Sequence, residues 1–155
     1  MSYHIIWKNL NDSLVITSMK PTADLAETTA WVNTLINRGE IAAFQAIVTD
    51  SELPTARYFR NAWRWVSGAV TMDIPACRVR HLGKLRQIRN LKLQDSDADY
   101  MRALEQADTV KLDALKNYRQ ALRDMPQTSA TEFQAAITPE TIRNIQPAIL
   151  TTPKP

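Results

Sequence analysis

Three glycines, two histidines and one cysteine in 155 residues remove most familiar cofactor and catalytic chemistry at the outset. Gly39, Gly68 and Gly83 stand alone, so no glycine-rich loop is available to cradle a phosphate. Cys77 has no partner for an internal disulfide, no local companion for a zinc site and no paired histidine, and it reads as a small buried apolar residue. His4 and His81 lie far apart and outside any metal-ligating spacing; they read as a strand-edge histidine and a surface helix histidine. No apolar run approaches the ~20 residues of a membrane span. The start, MSYHIIWKN, lacks the basic region and apolar stretch of a signal peptide, so the chain is expected in a cytoplasm. DSDAD, Asp95 to Asp99, opens like a calcium loop, but Tyr100 replaces the required Gly and Gln106 the bidentate Glu. It reads instead as the acidic start of a helical segment. No catalytic residue, metal site or cofactor is therefore expected, and the chain is not expected to be an enzyme.

What is present is ordinary globular composition, 45% apolar and 23% charged, enough for one sizeable core with a helical appendage. Tyr3 to Lys8 and Leu14 to Met19 are β-rich runs around NLNDS, whose Asn and Asp suit a turn. ADLAETTAWVNTLINRGE follows, with Leu25, Thr28, Trp31, Val32, Leu35 and Ile36 at helical spacing and Gly39 as a stop. Ala42 to Thr49 reads as a short buried strand. A helical turn through Phe59 is expected next, then a hairpin of Ala62 to Val66 against Ala69 to Met72, turned by Ser67 and Gly68. From Asp73 the pattern is long helix, with Asp73 as a cap and no proline break until Pro126. A second leg, Thr109 to Asp124, makes a helical hairpin. Glu132 to Ile137 and Pro139 to Ile145, the latter capped by Thr138, read as short helices, and the closing TTPKP reads as disordered. The expected fold is α+β: a β-β-α-β region at 1–54, an aromatic linker and hairpin at 55–73, a helical hairpin at 74–126, and short helices with a tail at 127–155.

Charge is unevenly placed on the helices. Arg78, Arg80, Lys84, Arg86, Arg89 and Lys92 form a run with no acid, followed by Asp95, Asp97, Asp99, Glu105, Asp108 and Asp113. The basic residues share their arc with Leu82 and Leu85 and do not gather on one side, which disfavours nucleic acid as the partner and keeps it only as a distant alternative. Val79, Leu82, Leu85, Ile88 and Leu91 recur every third residue, and that stripe turns by about −60° per step, wrapping the helix. Such a stripe either covers a partner's apolar surface or packs on the protein's own sheet. Phe59, Trp63 and Trp65 pose a similar choice between aromatic packing and an exposed recognition patch, with Arg57, Arg60 and Arg64 turned outward.

The run RYFRNAWRWVSGAVTMDIPACRVRHLGKLR, continuing through LQDSDADYMRALEQAD to YRQALRDMPQT and TPETIRNIQPAIL, resembles a group of small proteins of tailed bacteriophages and prophages encoded near tail-fibre genes. YRQALRDMP, Tyr118 to Pro126, is also similar to the closing motif of phage tail assembly and tail-fibre assembly chaperones. The resemblance covers about Asp50 to Leu150. It implies a protein that binds a tail-fibre or baseplate protein of the same phage in the infected host's cytoplasm, with self-association left open. The chaperone ending commonly has Trp-Pro where this chain has Gln146-Pro147, and two fates stay open: release after assembly, or retention as a fibre or baseplate accessory. The residues expected at the partner are Leu82, Leu85, Ile88, Arg89, Leu91, Leu115, Tyr118 and Leu122.

Overall fold

The structure is a computed structural model that describes residues 2–155; it is an α+β protein dividing into two compact units, Met1–Asp73 and Ile74–Pro155. In the first, β1 (Tyr3–Lys8) is the central strand of an antiparallel sheet, with β2 (Leu14–Ser18) on one side and β3 (Ala43–Thr49) on the other. The turn between β1 and β2 forms because Asn9 Oδ1 accepts the amides of Asn11 and Ser13, both at 3.0 Å, while Asp12 takes a left-handed backbone with φ 57°. Helix α1 (Leu25–Asn37) starts where Asp24 accepts the Glu27 amide at 2.7 Å.

Both faces of this sheet are covered, which is why the middle of β1 reads His-Ile-Ile instead of alternating. Ile5 faces Val32, Leu35 and Ile41 beneath α1. Its neighbour Ile6 faces the opposite way, into a cluster with Val48, Leu53, Trp63 and Val70. That second layer comes from 55–73, the segment expected as a linker: a short 3-10 helix (Arg57–Ala62) leads into β4 (Trp63–Val66), which pairs with β5 (Ala69–Met72). Phe59 and Trp63 are fully buried and Trp65 is half-buried against the same cluster, so these aromatics are packing residues, with Arg57, Arg60 and Arg64 exposed.

Two expectations for this unit need correction. His4 sits on the central strand, not at an edge, and is buried; its Nδ1 lies 3.0 Å from Ser18 Oγ and its Nε2 2.9 Å from Asp50 Oδ1. The hydrogen bond from His4 holds the Asp50 carboxyl below its ordinary range. On α1, only Thr28, Val32 and Leu35 are buried, while Leu25, Trp31 and Ile36 are exposed, because the narrow sheet covers one side of the helix only.

The second unit is all helix, and it is not the simple hairpin expected. α2 (Ile74–Asp95) ends at Ser96, α3 (Asp97–Glu105) follows at once, and α4 (Thr109–Thr128) begins after a turn. Ser96 is fully buried and its hydroxyl donates back to Leu93 O at 2.7 Å, a local bond that competes with continuing the helix. At the next break Ala107 has φ 54° and Asp108 caps α4 by accepting the Lys111 amide at 3.0 Å. α4 also runs past Pro126 to Thr128; the proline falls in the last turn, where few helical bonds remain to be lost.

α5 (Ala130–Ala135) and α6 (Pro139–Asn144) fold back onto α2, with Thr138 capping α6 and Pro139 at its first position. Helices this short leave most of their carbonyls unpaired, and α2 supplies donors for them. Arg78 gives Nε and Nη2 to Ala136 O, at 3.1 and 2.9 Å, and Nη2 to Gln134 O at 3.2 Å. His81, expected on the surface, is buried with Nε2 at 2.9 Å from Ile145 O. The tail is ordered as well, since Lys154 forms ion pairs with Asp95 and Asp99. Part of the basic run thus fastens the C-terminal segment.

Candidate functional site

The eight residues expected at a partner surface separate into two groups. Leu85, Leu115, Tyr118 and Leu122 are buried among the helices of their own unit, Leu115 and Leu122 completely. In the folded protein these four form its core and are not a contact surface, which corrects that part of the expectation. The reason is the break at Ser96, which brings three helices together where two were expected. Leu82 and Arg89 are half-buried; Arg89 donates to Asn90 Oδ1 from Nε and Nη2, at 3.1 and 2.9 Å. Ile88 and Leu91 are exposed, at 44% and 66%.

The position of Ile88 is informative. At about 100° per residue, Ile88 points between the directions of Cys77 and His81, the buried face of α2. Those two are closed over, whereas Ile88 is left nearly half open. The packing face of α2 therefore runs out at Ile88, and Leu91, one turn further and about 60° round, is more exposed still. Val79, at the other end of the wrapped stripe, is 75% exposed.

In this second unit the exposed apolar residues Met101 and Leu104 on α3, Val110 on α4, and Ile137 before α6 were missed in the sequence. Met101 and Leu104 are spaced to share one side of a helix, a signal hidden by reading Asp95 to Asp113 for its charge.

The motif YRQALRDMP serves the unit's own architecture. Tyr118, Leu122 and Met125 turn inward. Arg119 reaches the α2–α3 junction, where Nη1 donates to Leu93 O at 3.2 Å and to Ser96 Oγ and Asp97 Oδ1, both at 2.6 Å. Its guanidinium also lies 5.3 Å from the Tyr100 ring centroid. Gln120 Nε2 spans one turn to Asp124, at 2.9 and 3.1 Å. The motif locks α4 to the bend that creates α3.

Residues 82–140 match the family model described as Phage tail assembly chaperone protein. Over this segment the chain is phage tail assembly chaperone-like. The match supports a role in phage tail assembly. No curated protein and no solved structure matches the chain. The chaperone-like segment runs from the middle of α2 through α3, α4 and α5 into the start of α6, and it contains the Arg119 clamp together with Ile88, Leu91, Met101, Leu104, Val110 and Ile137. The sheet-bearing first unit lies outside it. Among the described residues no three His, Cys, Asp or Glu side chains gather as a metal site, and no helix is long and apolar enough to cross a membrane.

Proposed function

We propose that this protein acts in phage tail assembly by binding, without catalysis, a tail-fibre or baseplate protein of the same phage in the infected host's cytoplasm. The observation that carries the reading is the chaperone-family match over 82–140, the segment in which α2 and α3 expose Ile88, Leu91, Met101 and Leu104. Newly made fibre chains expose apolar β edges that pair wrongly unless covered. Apolar side chains on a rigid helical unit offer such cover, each fully buried one contributing ~1.5–3 kcal/mol.

The test is co-purification with fibre or baseplate chains from infected cells, using the wild type and an Ile88→Asp/Leu91→Asp double variant. The variant should keep its helical circular dichroism, because both side chains are exposed, and lose the partner. Unchanged capture by a folded variant refutes this surface. Quantitative mass spectrometry of purified particles then decides the protein's fate. Absence from particles fits release after assembly, and a fixed ratio to the fibre subunit makes it a permanent accessory.

A further inference from the structure

β2 is an outer strand of the three-stranded sheet, and beside it lies a cavity of about 560 Å³ lined by Asp12, Leu14, Ile16, Arg60, Trp63 and Arg64 among others. The register fixes which backbone groups of β2 face outward. Met19 N donates to Tyr3 O and Asn9 N to Ser13 O, each at 3.0 Å, and the pairing is in step between them with Ile5 opposite Thr17 and Trp7 opposite Val15. In an antiparallel ladder these are the hydrogen-bonded pairs, so the N–H and C=O of Leu14 and Ile16 project away from β1 at the free edge.

Two side chains on the same wall lack an acceptor. Trp63 is 1% exposed, and its indole N–H has no hydrogen-bond partner among the described residues. Folded proteins ordinarily avoid an unpaired buried donor. The guanidinium of Arg60 lies 5.8 Å from the Trp63 ring centroid and forms no ion pair among the described residues. The other charges nearby are already matched: Arg57, 5.4 Å from the same ring, pairs with Asp50 at 3.5 Å, Arg64 with Asp73 at 3.6 Å, and Asp12 with Lys8 at 2.8 Å. Donor and unpaired cation together ask for a carboxylate. The volume is far larger than a lone carboxylate needs, and the outward β2 amides ask for a backbone.

We propose that the outer edge of β2 binds an extended acidic peptide segment, whose backbone pairs with Leu14 and Ile16 and whose Asp or Glu carboxylate accepts from Trp63 Nε1 and Arg60. This site lies in the first unit, outside the chaperone-like segment, and does not depend on the function proposed above.

The full-length ¹⁵N-labelled protein is titrated with acetyl-Thr-Val-Glu-Val-Thr-amide, with its Gln counterpart, and with sodium acetate, following the Trp63 indole and the Leu14 and Ile16 amides by NMR. The Glu peptide should shift all three signals saturably. The Gln peptide, and the Glu peptide with an Arg60→Gln variant, should bind about tenfold more weakly, the effect of losing one charge-assisted hydrogen bond. Trp63→Phe should abolish the preference for Glu over Gln; because Trp63 is core, Arg60→Gln, an exposed substitution, decides the matter if that variant fails to fold. No shift at millimolar Glu peptide, or equal affinity for Glu and Gln peptides, overturns the proposal. So does an indole shift with acetate alone while the peptide leaves Leu14 and Ile16 unmoved, which would make the cavity a small-anion pocket.

Discussion

Replacing Arg119 by Met should destabilise the helical unit far more than a substitution of a surface cation ordinarily does. The side chain is only 16% exposed, and its Nη1 serves Leu93 O, Ser96 Oγ and Asp97 Oδ1 together. Met preserves much of the aliphatic packing but removes every donor. Ser96 is fully buried and already donates to Leu93 O, so its hydroxyl oxygen is left without the incoming Arg119 N–H. Asp97 is 59% exposed and recovers water, so its ion pair adds little. A lost hydrogen bond to a charged group together with a buried acceptor left unpaired gives about 2–3 kcal/mol. With a urea m-value of roughly 1–3 kcal/mol/M, the midpoint followed by far-ultraviolet circular dichroism should fall by about 0.7–3 M. Arg119→Lys keeps the charge without the planar fork and should fall between the two. In a double-mutant cycle, Arg119→Met and Ser96→Ala should couple by about 0.5–3 kcal/mol. A loss below about 0.5 kcal/mol for Arg119→Met, or strict additivity with Ser96→Ala, refutes the clamp.

Two further outcomes follow from contacts at the surface. The Asp99 carboxyl is held below its ordinary range, first by the hydrogen bond from Lys154, and Lys154 is raised by the same contact and by Asp95. A depressed carboxylate contributes above its unfolded pKa and loses that contribution as the pH falls through its folded value. The raised Lys154 keeps its contribution up to its ordinary value and loses it above, so the tail should be docked at neutral pH and released in acid below about pH 4 or in strong alkali. Amide exchange at Thr151 and Thr152 should show this, and Lys154→Gln should give the acid behaviour at pH 7; equal protection in that variant would show that the tail is held by something else. Ser67 turns the β4–β5 hairpin beside Gly68 with φ 51° and 84°, a geometry that Asn tolerates better than Ser. Ser67→Asn should therefore raise stability, by up to about 1 kcal/mol in a urea titration, and a loss would contradict the assigned turn.

Local signals were legible wherever a residue's own chemistry decides the backbone. Asp12 in its turn, Thr138 as a helix cap, Pro139 at a helix start and the Ser67-Gly68 hairpin all appear near their expected places. The same holds for the α+β order of elements and for the phage-tail resemblance, since motif residues stand in the chain whatever they touch. The site was only half legible. A stripe of leucines and isoleucines has the same period whether it meets a partner or a neighbouring helix, and Leu85, Leu115, Tyr118 and Leu122 proved to meet neighbours.

The amino-acid sequence by itself determined the strands, the Thr138 cap, the scarcity of glycine, histidine and cysteine and the family likeness, because these depend on side-chain type and spacing along a few residues. Only the tertiary structure decided that 55–73 closes the second face of the sheet, that α2 stops at Ser96, and that His4, His81 and Arg119 are internal hydrogen-bonding posts. It likewise decided that Ile88 and Leu91 stay open while Leu85 does not. Each of these turns on which groups meet across dozens of residues, and burial is a property of the neighbours that arrive there, not of the residue that waits for them.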